Sequence, residues 1–543
     1  MSRSRFTRRL FPLLTAGVVG TGIYAVDNWT DAKLIQRNCR TAYNGMAVAI
    51  DYKLNFQPTA DRDIRPIEEL HKRTANRLFD VFEKNGGLYI KMGQVIGTQA
   101  AILPLPYQER ARRLFDSAPA VPFEAVERVF KEDFGCLPES VFDEFDKTPL
   151  ASASIAQVHK ARLKNGDIVA VKIQKPAIQK QINTDLFCYR VLAQVYEYMF
   201  DLPITWSTDY VEDHLRMEAD FECEARNAMK AWKHIQDEPR LRGKVYIPKT
   251  YPELSSKRVL VCEWIDGVQL TDTASIAERH LDFNWAMKTA IMAFSSQIFK
   301  TGFVHGDPHP GNVLVRSHPD NPKHTQVVLI DHGLYIQESE KFRIEYCRMW
   351  EALFMLDIKT MQEICSSWGI HDANMFASLT LQKPFSPEKA LHIQQSVDMR
   401  DVYDMQMNAK ERIKHFLKDQ SLFPREIIFV SRNMNIMRAN NRQVGSPVNR
   451  INIMARWAVI GLNTSTSKGS WLQTVRLSWK SFLFESTLLL MTVTFWMVRF
   501  RDAVGRVVFG NKLNGFEDVL DKKMTEQLER QFGIKIDSSV FDG

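Results

Sequence analysis

The spacing of hydrophobic and polar residues divides the chain into a helical first part, a strand-rich middle and a helical remainder. Residues 31–146 follow a mainly helical pattern that prolines interrupt. Two segments of strand character, Gln157–Arg162 and Ile168–Ile173, flank Lys164-Asn-Gly-Asp167, which predicts a β-hairpin because Asn-Gly accepts the backbone angles of a tight turn. The change at Thr148 therefore marks a boundary between a helical segment and a sheet.

Further along, the pattern predicts two helices, a strand and then mostly helices. Asn183–Phe200 is largely apolar, and Thr208–Ile235 predicts one long charged helix. Arg258–Gly267 is an apolar run that ends in Asp-Gly, which is typical of a buried strand entering a turn. From there helices dominate to the C-terminus, apart from two short strands around 304–315 and 327–333.

Length and composition indicate a globular protein of more than one structural unit. A chain of 543 residues exceeds what one core usually serves, and 45% hydrophobic and 25% charged residues are globular values. Much of the net charge of +7 lies at the N-terminus, so it gives no argument for nucleic-acid binding, and no nucleic-acid partner is expected. The seven cysteines form no Cys-x-x-Cys pair, which disfavours a zinc site and a disulfide framework.

The N-terminal segment has the composition of a targeting and anchoring unit. The first 26 residues contain Arg, Ser and Thr but no acidic residue, as in mitochondrial transit segments. Leu10–Val26 is uncharged and close to the lower length limit for crossing a bilayer. A cleaved secretory signal is the alternative, which the lack of a small-residue cleavage site and of cysteine pairs disfavours. If Leu10–Val26 anchors in the inner mitochondrial membrane, the body faces the intermembrane space.

A second apolar segment lies near the C-terminus. Leu488–Val498 is strongly apolar, but extending it to spanning length includes Glu485, which is costly in lipid. An interfacial, re-entrant or core helix is therefore an alternative to a membrane span.

The residues around Asp307 point to phosphoryl transfer. Asp307 and Asn312 stand five apart in a loop between apolar runs, and Asp331 follows a second apolar run. In the kinase-type pattern His-x-Asp-x-x-x-x-Asn, the Asp orients the attacking hydroxyl, and the Asn and a later Asp-x-Gly bind Mg²⁺. An ordinary turn is the alternative for the loop alone, since Pro, Gly, His and Asn are common turn residues. The Ile-Asp-His-Gly sequence that follows favours phosphoryl transfer.

Upstream residues supply the other parts of a nucleotide site. Lys172, on a predicted strand, is suited to bind the α- and β-phosphates, and Glu224 on the predicted long helix is a candidate partner for its ammonium. A solvated acidic helix face is the alternative interpretation of the acidic stretch that contains Glu224. Glu263 and Ile265 belong to the expected hinge whose backbone meets the adenine. Strands, a long helix, a hinge and a helical lobe follow in the order of a bilobal kinase-like fold.

Three departures from the usual kinase pattern narrow the function. The segment Ala151-Ser-Ala-Ser-Ile-Ala156 stands where a Gly-rich loop would cover the phosphates, and it offers no glycine for close backbone approach. A helical pattern begins at Glu338, soon after Gly333, so the segment on which a protein kinase docks peptide is nearly absent. Gly306 replaces the Arg that would pair with an activating phosphate. A protein substrate is therefore disfavoured.

Together these features resemble the UbiB family of atypical kinase-like proteins, also called the aarF-domain family, over roughly residues 75–335. Leu88-Tyr-Ile-Lys-Met-Gly-Gln94 matches the family's Lys-x-Gly-Gln signature, Ala151–His159 is similar to its Ala-rich loop, and Glu218-Ala-Asp220 is similar to its Glu-x-Asp motif. The His-Gly-Asp-Pro-His-Pro-Gly-Asn loop and the leader make the chain most similar to the mitochondrial aarF-domain-containing kinase 1 group.

The resemblance implies ATP and Mg²⁺ as cofactors and assigns a set of site residues. Lys91 is expected to meet Glu218 and Asp220. Residues two apart on a helix point in different directions, so contact with both requires an irregular helix or a lysine between the two faces. The catalytic candidates are Asp307, Lys91, Glu218 and Asp220; the nucleotide-binding candidates are Ala151, Ser152, Ala153, Ser154, Lys172, Glu224, Glu263 and Ile265; the metal-binding candidates are Asn312 and Asp331.

The predicted fold class is α+β, a bilobal protein-kinase-like fold with an N-terminal helical extension and a mostly helical C-terminal region. The predicted parts are a targeting and anchor segment at 1–30, the extension at 31–147, an N-lobe at 148–266, a C-lobe at 267–445 and a helical region at 446–543 with a membrane-associated segment at 482–498.

The resemblance also implies membrane association, a lipid or quinone ligand, inner-membrane proteins as partners, and a role in mitochondrial lipid and coenzyme Q homeostasis and inner-membrane organisation. The leading hypothesis is an ATP-binding, ATPase-like regulator. A small-molecule (lipid) kinase is an alternative, because aminoglycoside and choline kinase-like enzymes share the His-Gly-Asp-x-His-x-x-Asn loop. A pseudokinase scaffold that binds partner proteins is a third hypothesis.

Overall fold

The computed structural model of the chain describes residues 32–56, 65–98, 104–114, 119–201, 205–370, 373–381, 424–463, 484–497 and 499–501, together with Asp27 and Thr30. The chain divides into two compact units. Unit 1 comprises Met1–Cys223 and Tyr251–Trp264, and unit 2 comprises Glu224–Thr250 and Ile265–Gly543. The predicted leader, with Leu10–Val26, lies outside the described residues.

The described chain begins with helices, continues with strands and helices in its middle part, and ends with helices. The helices are α1 (Leu34–Asn55), α2 (Arg65–Asn85), α3 (Leu88–Thr98), α4 (Leu105–Arg113), α5 (Phe123–Phe134), α6 (Pro138–Val141), α7 (Ile178–Phe200), α8 (Trp206–Glu218), α9 (Phe221–Asp237), α10 (Thr273–Glu278), α11 (Phe283–Ser296), α12 (Glu340–Met355), α13 (Ile358–Ser367), α14 (Ala373–Leu381), α15 (Glu426–Gln443), α16 (Arg450–Asn463) and α17 (484–497). The strands are β1 (Phe142–Phe145), β2 (Ala151–Ser152), β3 (Ala156–Leu163), β4 (Ile168–Gln174), β5 (Val245–Tyr246), β6 (Val259–Glu263), β7 (Val268–Gln269), β8 (Phe303–His305), β9 (Val313–His318), β10 (Asn321–Leu329) and β11 (Tyr335–Gln337).

The first helices of unit 1 pack around a buried ion pair. Helix α1 contacts α2 and α7, and Arg37 of α1 pairs with Asp185 of α7. Arg37 also donates a hydrogen bond to the backbone carbonyl oxygen of Asn85, where α2 ends. Because an unpaired buried charge is costly, these bonds favour one arrangement of the three helices.

The sheet of unit 1 has the strand order β1-β3-β4-β6, with β2 paired to β3. Strands β3 and β4 are antiparallel, and Gly166 in their connection has φ 91°, so the predicted hairpin is confirmed. Alternate β4 residues Val169, Val171 and Ile173 pack into a core with Phe130 of α5. Strand β1 lies in a segment that the sequence assigned to helices; at four residues it is too short to show an alternating pattern.

The acidic stretch Thr208–Ile235, predicted as one helix, forms two. Helix α8 ends at Glu218 and α9 begins at Phe221. The Oδ1 atom of Asp220 accepts hydrogen bonds from two backbone N–H groups at the start of α9, at 3.0 and 3.3 Å, as a helix N-cap does. The prediction of a single helix is therefore wrong, and Glu218 and Glu224 lie on different helices.

Unit 2 contains a four-stranded sheet of order β5-β10-β9-β7 and a two-stranded sheet of β8 and β11. The sequence predicted two short strands after residue 267, but the structure has five between Val268 and Gln337. Strands β7, β8 and β11 contain only two or three residues each, and their pairing depends on long-range contacts rather than on a local pattern.

Helices α11 and α12 begin at side-chain caps and share a buried aromatic core. The side chains of Asp282 and Ser339 accept backbone hydrogen bonds as the N-caps of α11 and α12. Phe299, in the π turn Gln297–Thr301 that follows α11, stacks on Tyr346 of α12 and meets the edge of Trp350. This core supports β8, which leaves the π turn directly.

The described part of Leu488–Val498 belongs to α17, and Val498 lies outside the described residues. Phe484, Leu488 and Phe495 of α17 are buried in the core of unit 2. Within the described ranges, no helix combines the length and apolar character that crossing a bilayer requires.

Candidate functional site

Two strand pairs of unit 2 place the loop that carries Asp307 and Asn312. Gly302, at φ 64°, follows the π turn and directly precedes β8, which enters the loop. Strand β9 leaves the loop, and β10 pairs with it in the antiparallel direction and so returns toward the loop. Beyond their paired end, the N–H of Ile330 donates to the backbone carbonyl oxygen of Asn312 at 3.1 Å. The hairpin therefore brings Asn312 beside the segment that contains Asp331.

His305 links the Asp307 loop to Asp331. The backbone N–H of Asp307 donates to Nδ1 of His305 at 3.0 Å. Nδ1 is therefore unprotonated in the neutral ring, and Nε2 carries the proton. Nε2 then donates to the backbone carbonyl oxygen of Asp331 at 2.8 Å. Burial lowers the pKa of His305, which keeps the ring neutral. The sequence indicated no role for His305, although this residue opens the His-x-Asp motif.

Helix α9 holds the Asp331-His-Gly segment and presents Glu224 to it. The Oδ1 atom of Asp331 accepts from the N–H of Gly333 at 3.0 Å. A Cβ atom added at Gly333 would lie 3.4 Å from that Oδ1 and 3.6 Å from Oε2 of Glu224, so both carboxylates approach this glycine. Nδ2 of Asn227, also on α9, donates to the backbone carbonyl oxygen of His332 at 3.0 Å. A Cβ atom at Gly333 would be in ordinary van der Waals contact with both acids.

The amide of Asn312 has a defined orientation. Its Nδ2 donates to the backbone carbonyl oxygen of Asp307 at 3.1 Å, so Oδ1 is the amide atom left to bind a cation. Within the described residues, no cluster of three His, Cys, Asp or Glu side chains could form a complete metal cage. Mg²⁺ at nucleotide sites takes one or two carboxylates and shares its other positions with phosphates and water. Asn312 and Asp331 fit an Mg²⁺ ion of this kind.

Helix α15 contacts the Asp307 loop at three places that the sequence analysis missed. Arg432 forms an ion pair with Asp307, with 3.2 Å between Nη2 and Oδ1. Asn433 donates through Nδ2 to the carbonyl oxygen of His305 at 2.6 Å, and Asn440 donates likewise to Pro308 at 3.1 Å. Asn433 and Asn440 are buried and stand seven apart, on one helix face. Buried amides repeated on an apolar face are the signal that could have indicated this role.

In unit 1, Lys91 of α3 forms an ion pair with Glu218, the last residue of α8. Nζ and Oε2 are 3.2 Å apart, and the side chains are 24% and 12% exposed. The sequence allowed Lys91 to meet both Glu218 and Asp220 if the helix were irregular, and the α8–α9 break is such an irregularity. The carboxylate of Asp220 caps α9.

Lys175 holds the Ala-rich loop Ala151–Ala156. Its Nζ donates to the carbonyl oxygens of Ala153 and Pro119 at 2.7 and 2.9 Å, and its backbone N–H donates to Ile155 at 2.9 Å. Burial lowers the pKa of Lys175 to about 8. The hydroxyls of Ser152 and Ser154 are buried and have no hydrogen-bond partner among the described residues. Two donors in this loop are thus available to a ligand.

The remaining candidates lie on the central strands of unit 1 and just after them. Lys172 is on β4, and its Nζ lies 5.0 Å from the centroid of the Phe221 ring, a cation–π distance. Glu263 ends β6 in unit 1, and Ile265 opens the second segment of unit 2. Unit 2 brings Asp307, Asn312, Asp331 and Glu224 together, and unit 1 brings Lys91 to Glu218.

Comparisons with known proteins find relatives along most of the chain. A family model described as the ABC1 atypical kinase-like domain matches residues 113–365. The ABC1 family protein C10F6.14c of Schizosaccharomyces pombe is 39% identical and covers 81% of this chain and 82% of its own length. AarF domain-containing protein kinase 1 of Xenopus laevis is 31% identical over 81% of this chain and 85% of its own. The probable serine/threonine-protein kinase abkD of Dictyostelium discoideum is 35% identical over 78% of this chain and 61% of its own. The family resemblance and the kinase-like fold expected from the sequence are confirmed.

Proposed function

The chain belongs to the ABC1 atypical kinase-like family, and from this premise we propose that it binds Mg-ATP and hydrolyses it. Asp307 orients the attacking water, Asn312 and Asp331 bind Mg²⁺, and Lys172 binds the α- and β-phosphates. The observation that carries the proposal is the His305 bridge, which joins the Asp307 loop to the Asp331 backbone at 3.0 and 2.8 Å.

The surroundings of Asp307 suit a group that orients a nucleophile. Its carboxylate is 28% exposed and is held by Arg432, so it can accept a hydrogen bond from a small nucleophile while keeping one orientation. Its backbone is held on both sides, by His305 and by Asn312. Bound Mg²⁺ would neutralise phosphate charge, and the protein contribution is then positioning of the nucleophile and phosphates.

The segment after Asp331 supports water or a small molecule as the acceptor rather than a protein. Strand β11 ends at Gln337 and α12 begins at Glu340, so little chain is available to dock a peptide. A Cβ atom at Gly306 would lie 2.6 Å from Cγ of buried Leu334, so an arginine at this position, where protein kinases have a phosphate-binding one, would clash with that side chain. A small-molecule (lipid) kinase is the second candidate, because the same short segment leaves the Asp307 loop open to a small hydroxyl.

The cellular part of the proposal rests on the leader composition and on the family. We propose an inner-membrane mitochondrial protein whose body faces the intermembrane space, with a lipid or quinone ligand and inner-membrane protein partners. Its nucleotide cycle would support lipid and coenzyme Q homeostasis and membrane organisation. Protease treatment of intact and outer-membrane-ruptured mitochondria tests the topology. Degradation on rupture of the outer membrane alone is expected, and degradation only after full lysis would place the body in the matrix.

Labelled ATP distinguishes the candidate reactions. With γ-labelled ATP and Mg²⁺, the full chain is expected to release labelled phosphate, and Asp307→Asn is expected to lower the rate by roughly 10²-fold or more. Asp320→Asn, an exposed aspartate in the β9–β10 turn, is the matched control. Label that enters a lipid extract in an Asp307-dependent way would identify the lipid kinase instead. No release and no transfer, with cellular rescue retained by the Lys172→Ala/Asp331→Asn double variant, would identify the scaffold.

A further inference from the structure

Helix α17 exposes a row of large apolar side chains. The outer face, defined as Leu489, Leu490, Val493, Trp496, Met497 and the following Phe500, has side chains that are 46% to 72% exposed. Monomeric proteins rarely leave this many large apolar residues together in water, and such patches mark sites of interaction with proteins or membranes. The outer face therefore needs a partner.

The opposite face of α17 is fixed to unit 2. Phe484, Leu488 and Phe495 are at most 4% exposed and belong to the core. Nδ2 of Asn452 on α16 donates to the carbonyl oxygen of Leu488 at 3.0 Å and to Oγ1 of Thr492 at 2.7 Å. Because one side is held by packing and hydrogen bonds, the other side is presented outward on a rigid support. This is the geometry of a helix that lies in an interface.

The charged residues at the end of the outer face are basic, which favours an anionic partner. From Ser486 to Arg501 the sequence contains no acidic residue and ends in Arg499 and Arg501. The guanidinium of Arg499 lies 5.8 Å from the ring centroid of Trp496. Tryptophan concentrates at the headgroup level of bilayers, and arginine near a helix end extends to the same level. Anionic lipid supplies phosphates that pair with these arginines.

A groove beside the outer face provides a place for a headgroup. It has a volume of about 490 Å³ and is lined by Asn452, Ile453, Arg456, Glu485, Leu489 and Thr492. Oδ1 of Asn452 is buried, and it has no hydrogen-bond partner among the described residues. Arg456 stands at the exposed end, 3.0 Å from Glu485. The groove thus joins a cation, the carboxylate with which it is paired, and an unused acceptor to an apolar wall.

We propose that the outer face of α17 docks on a bilayer that contains anionic phospholipid, and that the adjoining groove receives one headgroup. Arg456 binds the headgroup phosphate, Oδ1 of Asn452 accepts from a headgroup hydroxyl, and the outer face lies among the upper acyl chains. None of these residues belongs to the proposed nucleotide site. The docking surface and the ATP chemistry can therefore be tested independently of each other.

Photo-crosslinking on the full chain identifies what covers the outer face. Trp496 is replaced by photoreactive p-benzoylphenylalanine, and the protein is irradiated with vesicles of phosphatidylcholine that contain phosphatidylglycerol. The control carries the same group at Leu356, which is 62% exposed in the same unit. The expected result is phospholipid adducts at position 496 and far fewer at 356. Adducts with a second copy, adducts with the chain's own termini, or equal yields at both positions would overturn the proposal.

The requirement for anionic lipid gives a second test, in which an exposed arginine is replaced and no buried residue is changed. Arg501→Gln, which changes an exposed residue, is expected to lower the adduct yield on anionic vesicles by about fivefold, the effect of one basic residue near such a surface. On pure phosphatidylcholine the variant and the parent should match. Equal yields of the parent chain on vesicles with and without phosphatidylglycerol would contradict the role of anionic lipid. Mg-ATP binding, measured on the same samples, should remain unchanged.

Discussion

The ammonium of Lys91 lies 3.2 Å from the carboxylate of Glu218, and neither side chain is more than 24% exposed. This ion pair joins α3 to the end of α8, immediately before the Asp220 cap that starts α9. Because a partly buried charge without its partner is costly, the pair holds the Lys-x-Gly-Gln helix against the Glu-x-Asp segment.

A double-mutant cycle measures this link. Lys91→Met and Glu218→Gln should each lower the free energy of unfolding, and the double variant should lose less than the sum, with a coupling energy of about 0.5–3 kcal/mol by chemical denaturation. The exposed pair Lys359–Glu363 on α13, 3.9 Å apart, is the control, with an expected coupling below about 1 kcal/mol. Equal coupling in the two cycles would show that the Lys91 contact has no special stabilising role.

Gly306 is required for packing. A Cβ atom there would lie 2.6 Å from Cγ of buried Leu334, so Gly306→Ala should lower the free energy of unfolding by about 1–3 kcal/mol through overpacking. In a Leu334→Ala background the clash is gone, and the same glycine substitution should cost markedly less in thermal or urea unfolding. If Gly306→Ala costs the same in both backgrounds, the crowding by Leu334 is not the cause.

Asn433 should be necessary both for the stability of the protein and for its rate of ATP hydrolysis. Asn433→Ala removes the 2.6 Å hydrogen bond to the His305 carbonyl oxygen inside the protein, and an unsatisfied buried carbonyl costs about 1–3 kcal/mol. The free energy of unfolding in urea and the ATP hydrolysis rate should both fall. Asn435→Ala, half-buried on the same helix, serves as the matched control. If Asn433→Ala unfolds and hydrolyses ATP as the wild type does, the hydrogen bond from Asn433 to His305 does not hold the loop.

Lys175 should titrate well below ordinary lysines. Burial lowers its pKa to about 8, against about 10.4 for an ordinary lysine. The ammonium predominates below pH 8 and does not react, so its acetylation rate should rise as the pH passes through about 8. Trace labelling with acetic anhydride between pH 6 and pH 11, read by mass spectrometry, gives the midpoint. A midpoint near the ordinary lysine value would contradict the burial of Lys175 around the Ala-rich loop.

Local patterns in the sequence were sufficient to predict some secondary-structure elements but not others. The β3–β4 hairpin was predictable because Asn165-Gly166 and the alternating strands act within a few residues. The break between α8 and α9 was missed because helical periodicity continues through Asp220, and only the capping bonds of its side chain show the interruption.

The candidate site shows the same limit. Asp307, Asn312 and Asp331 were recognisable because their spacing is local and their chemistry is specific. Arg432, Asn433 and Asn440 were not, because they reach the loop across more than a hundred residues of chain, where one sequence without an alignment carries no pairing signal. His305 was quoted within the motif, but its tautomer follows only from the atoms that it contacts.

Titration of Mg-ATP into the full chain tests the central claim most directly. The wild type should bind ATP in the presence of Mg²⁺ and much more weakly in its absence, because Asn312 and Asp331 act through the metal. Asp331→Asn should lose the Mg²⁺ dependence and at least tenfold in affinity (about 1.4 kcal/mol), while the control Asp320→Asn binds as the wild type does. Binding that is equal in wild type and Asp331→Asn, or no binding of Mg-ATP by the wild type, would contradict the account.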